Sequence, residues 1–329
     1  MTAQPLGPGR EFDRIRAIAD ALRTRVRGIG DDCAVVHPSA RSIVLSTDVS
    51  IEGVHFRRDW LSLEEIGWRS TAAALSDLAA EGASVEGVLA AVVAPPESRG
   101  EETTTLMRGV GAAAASVGGA VLGGDLSSGP AWCVTITVVG HADRPVTRAG
   151  AASGDRLWIT GALGAARAAV DAWSAGREPA PGARAAFAHP EPRIAAGRWL
   201  ADNGASAMID LSDGLADVRH LAAASRVRAD VDVDRIPVAG DAVTPALAAG
   251  VTPQEYAAGG GEDYELLVSL PHAFSASDQA RFERATGLAL TEVGVVRAGE
   301  GVRATLGGRA VTLGGFDHFR DRGEPRARR

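Results

Sequence analysis

A chain of 329 residues with 46% hydrophobic and 23% charged residues is long enough for two domains with cores of their own, and its composition excludes a disordered chain. A formal net charge of −7 argues against a general nucleic-acid binder, which needs a basic face for phosphates. All 34 basic residues are arginine, and the absence of lysine excludes a Walker A loop, the strand lysine of protein kinases and Schiff-base chemistry.

The opening "MTAQPLGPGREFDRIR" lacks the apolar core of a signal peptide, and the longest uncharged stretch, "GVGAAAASVGGAVLGG", is too short and too rich in Ala and Gly for a membrane span. A cytoplasmic protein without membrane contact is expected. Cys33 and Cys133, with no CxxC spacing and no clustered histidines, read as reduced thiols rather than as a zinc site or disulfide. Residues 11–26 place Phe12, Ile15, Ile18, Ala19 and Leu22 at helical spacing. After "GIGDDCAVV", the stretch "SIVLSTDVS" predicts a buried strand, Ile43 to Leu45, that ends on Ser46, Thr47 and Asp48. Ser62 and Glu65 have capping-box spacing and open a long Ala/Leu helix ending near Gly82. A strand "VEGVLAAVVAP", a helix over 101–117, and strands "GAVLGGD" and "WCVTITVVGHA" complete a first mixed α and β domain.

Turn residues gather in "DRPVTRAGAASGDR", so a domain boundary is placed between 145 and 146. Beyond it come the strand "LWITG", the helix "ALGAARAAVDAW", a Pro/Gly linker "GREPAPGA" and a helix near "PEPRIAAGRWL". They are followed by the strand-turn-helix "SAMIDLSDGLADVRHLAAAS", the turn and strand "GGGEDYELLVSL", and a final strand pair leading to "GGFDHF" and a polar basic tail.

Carboxylates recur where apolar runs end. Asp32 precedes "CAVV", Asp48 follows "IVLST", Asp125 closes "AVLGGD" and Asp210 closes "SAMID". Asp77 stands inside "TAAALSDLAAEGA", although Asp is a poor helix former. "GIGDD" reads equally as a tight turn, and Ser212 and Asp213 equally as helix N-caps. If several of these acids converge, each pair about 4 Å apart repels by roughly 4 kcal/mol at an effective dielectric near 20, so the cluster needs protons or divalent cations. Oxygen donors favour Mg²⁺ and hence phosphate chemistry. The glycines of "GIG", "LGG" and "GGG" would allow backbone to approach a phosphate.

Taken in order, "GIGDDCAVV", "LSTDVSIEGVHF", "ALSDLAAEGA", "GGDLSSGP", "VTRAGAASGD", "MIDLSDGLADV", "GGGEDYELL" and "GGFDHF" closely resemble the thiamine-monophosphate kinases, of the PurM-like (AIR synthetase-like) ATP-using superfamily. The resemblance implies a mixed α/β and α+β fold of two domains. Residues 1–145 would carry the Mg²⁺/ATP site and pair strands with a second subunit in a homodimer; residues 146–329 would form an α+β domain, with ATP in a cleft between the two. It also implies that Asp32, Ser46, Thr47, Asp48, Asp77, Asp125, Asp210 and Asp213 ligate several Mg²⁺ ions. Gly124, Asp125, Arg148 and Ser212 would hold ATP, and His55, Glu262 and Phe316 would contact thiamine monophosphate. Asp32, Asp48, Asp77, Asp125, Asp210 and Arg148 are the residues expected to carry catalysis. The family often has an aromatic that packs on the adenine; "TTTLMRGVG" offers Leu106 and Met107 there, so an aliphatic or thioether contact is expected.

The reaction so implied is direct in-line transfer of the ATP γ-phosphoryl group to thiamine monophosphate. The acceptor phosphate, with a second pKa near 6, is largely ionised at neutral pH and needs no general base. Two other readings are a different ATP-dependent enzyme of the superfamily and a non-catalytic MgATP sensor. The lysine of selenophosphate synthetases and the C-terminal cysteine of the hydrogenase-maturation relatives have no counterpart in a lysine-free chain ending "RARR", while Cys33 beside Asp32 keeps a reactive-cysteine reading open.

Overall fold

The computed structural model describes residues 17–18, 20–25 and 42–315. Asp32, Cys33, Phe316 and most of the helix expected over 11–26 lie outside the described residues. The chain divides into two compact units, Met1–Leu78 with Ala83–Asp143, and Ala79–Gly82 with Arg144–Arg329.

The first unit contains β1 (Ser42–Ile51), α1 (Leu63–Ala80), β2 (Ser84–Ala94), α2 (Gly100–Ser116), β3 (Val121–Ser128) and β4 (Cys133–Ala142). Its sheet has the order β1-β4-β2-β3, with β2 and β3 parallel and the other pairs antiparallel. Two strands run further than their apolar stretches predict. β1 pairs with β4 from Ser42↔Ala142 to Ile51↔Cys133, so Ser46, Thr47 and Asp48 sit in mid-strand rather than at its end. β3 continues through Asp125 to Ser128 because Ala91–Ala94 pair with it. In both cases ladder pairing extends the strand through polar residues.

The capping box expected at Ser62 forms: the Ser62 N–H donates to Glu65 Oε2 at 2.8 Å and the Glu65 N–H to Ser62 Oγ at 3.3 Å. α1 and α2 meet at two glycines. A Cβ on Gly67 would stand 2.0 Å from the Leu106 carbonyl oxygen, and one on Gly109 1.9 Å from that of Glu64. From Arg69 to Ala80 the helix is buried, with Asp77 alone partly exposed.

The second unit comprises β5 (Arg156–Thr160), α3 (Ala165–Ser174), α4 (Pro181–Ala188), α5 (Ile194–Asp202), β6 (Ala207–Asp210), α6 (Val218–Ser225), β7 (Arg228–Asp232), α7 (Gly240–Ala248), α8 (Pro253–Ala258), β8 (Leu266–Leu270), α9 (Ala276–Thr286), β9 (Leu290–Arg297), β10 (Gly301–Leu306) and β11 (Arg309–Val311). Its sheet has the order β11-β10-β7-β9-β5-β8-β6. β5, β6 and β8 are apolar nearly throughout, and their Leu157, Ile159, Ile209 and Leu267 pack with Val218 and Leu221 of α6 in one core. The expected linker "GREPAPGA" partly folds: Pro181 opens α4, where its missing N–H costs nothing.

A methyl group on Gly109 has no room beside the Glu64 backbone. Gly109→Ala is expected to lower stability by about 2–3 kcal/mol through overpacking, read from the midpoint of urea denaturation; an unchanged midpoint would contradict the close crossing.

Candidate active site

Strand alternation sorts the candidate residues of the first unit. Ser46 and Asp48 project to one face of β1, opposite the buried Val138 and Ile136 of β4. The Ser46 hydroxyl donates to Asp77 Oδ2 at 2.5 Å, which ties the middle of β1 to the one partly exposed position of the last turns of α1. Thr47 faces the other way, its hydroxyl 2.8 Å from that of Thr137. Asp125 shares that opposite face, since the ladder runs Val49↔Thr135, Thr135↔Ala91 and Ala91↔Asp125. Within this unit, therefore, Ser46, Asp48 and Asp77 fall on one side of the sheet, and Thr47 and Asp125 on the other.

Gly124 has a packing reason: a Cβ there would lie 1.9 Å from the Ala90 carbonyl oxygen. Leu106 and Met107, proposed for the adenine, are 0% and 4% exposed and belong to the core of the unit. His55 closes the turn after β1, where its Nδ1 accepts the Ile51 N–H at 3.1 Å. That bond places the proton of the neutral ring on Nε2, making it a donor.

In the second unit Asp210 ends β6 and is 5% exposed. The turn that follows does not use Ser212 or Asp213 as side-chain caps. A short 3₁₀ turn, Leu215–Asp217, intervenes, and α6 starts only at Val218. The buried Asp217 does the anchoring, its Oδ2 accepting the Asp213 N–H at 3.0 Å. Burial raises its pKa to about 6, and the N–H groups of Asp213 and Ser212 and the charge of Arg148 oppose the rise. Sequence reasoning missed Asp217; the signal was its spacing four residues after Asp213. Arg148 itself is exposed, with its carbonyl held by Ser225 Oγ at 2.9 Å.

The loop "GGGEDYE" packs against this turn. The Glu262 N–H donates to the Ser212 carbonyl at 2.7 Å and the Tyr264 N–H to that of Leu211 at 3.0 Å. Two glycines allow this contact: a Cβ on Gly261 would lie 2.6 Å from Ser212 O, and one on Gly214 2.7 Å from Gly260 O. Alternate acids fasten the loop from below. Both oxygens of Asp263 accept the Gly164 N–H, at 2.9 and 3.0 Å, at the start of α3. Glu265 receives Arg193 in a bidentate pair, NH2 to Oε1 at 2.7 Å and Nε to Oε2 at 3.1 Å, and the Thr160 hydroxyl at 2.5 Å. Desolvation raises the pKa of both acids, partly offset by these donors. The anchors hold Glu262 and Tyr264 in left-handed backbone, φ 71° and 52°, at a cost of about 1–3 kcal/mol each.

Hydroxyl and carboxylate oxygens on one side of β1 are a donor set suited to Mg²⁺. Among the described residues no group of three or more His, Cys, Asp and Glu gathers closely enough to hold a metal unaided.

Residues 30–142 match the family described as AIR synthase related protein, N-terminal domain. The chain is 36% identical over 270 residues, 81% of each chain, to the thiamine-monophosphate kinase of Mycobacterium tuberculosis (strain CDC 1551 / Oshkosh). The crystal structure of thiamine-monophosphate kinase from Stenotrophomonas maltophilia K279a superposes with a TM-score of 0.79 at 31% identity, covering 93% of this chain and 98% of that one. AaThiL complexed with AMPPCP and TMP superposes with a TM-score of 0.77 at 31% identity, over 94% and 97%. With a mixed two-unit fold of PurM-like type and relatives of this identity over most of its length, the chain belongs to the thiamine-monophosphate kinase family.

Proposed function

We propose that the protein transfers the γ-phosphoryl group of ATP directly to the phosphate of thiamine monophosphate, giving thiamine diphosphate and ADP. The observation that carries this reading is the oxygen-donor face of the first unit, where Ser46 bonds Asp77 beside Asp48. Family membership gives that face its substrate, and the relative bound to AMPPCP and TMP supports both reactants.

On one face of the first unit Ser46, Asp48 and Asp77 would hold Mg²⁺, which neutralises phosphate charge so that two anionic reactants can meet; Asp32, Thr47, Asp125, Asp210 and Asp213 are assigned as ligands by the family resemblance alone. Arg148 adds a positive charge that no accessible pH removes. Gly124 and Ser212 place backbone and hydroxyl donors toward ATP. His55 offers its Nε2–H, and Glu262 and Phe316 are assigned to thiamine monophosphate. No residue is required as a base, because the acceptor oxygen is already largely ionised at neutral pH.

The acting unit is a homodimer in a cytoplasmic setting. β1 is an edge strand whose outer face exposes Ile43, Leu45, Val49 and Ile51, between 39% and 63%. Such a face invites cover by a second copy. In a dimer joined there, Asp125 and Thr47, on the same side of the sheet, lie near the interface. No described helix is long and apolar enough to cross a membrane.

Purified protein with MgATP and thiamine monophosphate is expected to form thiamine diphosphate and ADP in equal yield, with no product from unphosphorylated thiamine; ADP without thiamine diphosphate would refute the assignment. Asp48→Asn and Asp77→Asn are each expected to lower kcat by about 100-fold with the fold retained, as loss of preorganised charge does, and near-wild-type turnover would remove either from the catalytic set. Leu45→Glu combined with Val49→Glu should convert a dimer into monomers in sedimentation velocity. An unchanged sedimentation coefficient would place the interface elsewhere.

A further inference from the structure

After β11 the chain forms neither helix nor strand over residues 312–315, yet two of its residues are seated on the second unit. Leu313 packs on the core that holds Leu215, Val218 and Leu221. Two residues on, Gly315 meets the turn between β6 and α6: a Cβ there would stand 2.8 Å from Ala216 Cβ, 3.2 Å from Arg219 Nη2 and 3.3 Å from the Asp213 carbonyl oxygen. Ala216 is fully buried, and Arg219 folds back on it, its Nε donating to the Ala216 carbonyl at 3.0 Å. A contact this close has room for hydrogen at position 315 and for no larger group.

A second glycine packs on the same turn. A Cβ on Gly261 would lie 2.6 Å from the Ser212 carbonyl oxygen and 3.4 Å from Asp213 Cα, and the Glu262 N–H donates to that Ser212 oxygen at 2.7 Å. Gly261 and Gly315 are far apart in the chain, but each stands directly before a residue assigned to the acceptor, Glu262 after the first and Phe316 after the second. Consecutive Cα atoms are about 3.8 Å apart, so whatever fixes Gly315 also fixes where the chain enters Phe316. Both acceptor assignments are thereby tied to the turn of Ser212 and Asp213, the residues assigned to ATP and Mg²⁺.

Building on the kinase reading, in which Glu262 and Phe316 contact thiamine monophosphate, we propose that Ala216 and Arg219 are positioning residues for the acceptor. They seat Gly315 against the turn that carries Ser212 and Asp213, and this seat directs the Phe316 ring to the thiamine heterocycle beside the phosphoryl donor. Tying down the end of the chain requires only the apolar contact of Leu313. The added close contact at Gly315 fixes the backbone at the position immediately before the aromatic, where a small displacement is costly to the alignment of two reactants. In-line transfer gains when acceptor and donor are placed from one rigid support, because positioning supplies much of its catalysis.

The test is steady-state kinetics of the full chain carrying Gly315→Ala, alone and combined with Ala216→Gly; the swap keeps one methyl group between the two backbones. Gly315→Ala is expected to raise KM for thiamine monophosphate about tenfold, with kcat and KM for ATP within about twofold, since the loss falls on acceptor binding. Adding Ala216→Gly should return that KM to within about threefold of the wild type. Arg219→Ala should raise the same KM about threefold without moving KM for ATP. In a Phe316→Ala background Gly315→Ala should add little, because the seat acts through the ring. An unchanged KM for thiamine monophosphate in Gly315→Ala or Arg219→Ala overturns the proposal, as does an equal rise in KM for ATP. A full effect of Gly315→Ala without the ring, or no recovery with Ala216→Gly, overturns it too. Should Gly315→Ala fail to fold, Arg219→Ala, at an exposed position, decides alone. Absence of thiamine diphosphate from the wild type would instead refute the kinase reading itself.

Discussion

Carboxylates placed in buried turns and at a buried helix are the constraint on which the rest of this structure depends. An unpaired buried acid is costly and neighbouring acids repel, so a chain that gathers them must divide them into those that are satisfied internally and those that are presented. The second unit makes that division along short stretches of sequence. Asp217 is tied to the N–H groups of its own turn, Asp263 to the start of α3, and Glu265 to Arg193 and Thr160. These anchors fix the turns that carry Asp213 and Glu262.

The first unit reaches a similar end by different means. Here the period of two in β1 sorts polar side chains to opposite faces, and Asp77 is the one partly exposed position between Arg69 and Ala80 of α1. Ser46 then links strand and helix. The result is an oxygen-rich face on a rigid support, the arrangement that in-line phosphoryl transfer demands, since positioning and charge neutralisation supply most of its catalysis.

Much of this was legible in the residues themselves. The Ser62 capping box, the long Ala-rich helix and the apolar strands were readable because each depends on near neighbours in the chain. The anomalous Asp77 was readable because helix propensity disfavours it. Other features resisted. The lengths of β1 and β3 depend on pairing with β4 and β2, the burial of Leu106 and Met107 on a helix crossing, and the anchoring by Asp217 on a turn whose helix begins later than Ser212 and Asp213 suggest. The close packing of Gly261 on Ser212, where two loops of one unit touch, was likewise invisible in the sequence.

The sequence by itself determined the family, the mixed α and β character, the exclusion of lysine-dependent chemistry and the roster of acids, because motif spacing and residue type are local properties of a chain. Only the tertiary structure decided which face of a sheet each acid of the first unit occupies and which acids anchor the turns of the second. Those are matters of register, close backbone approach and burial, which arise when segments distant in sequence compete for the same space.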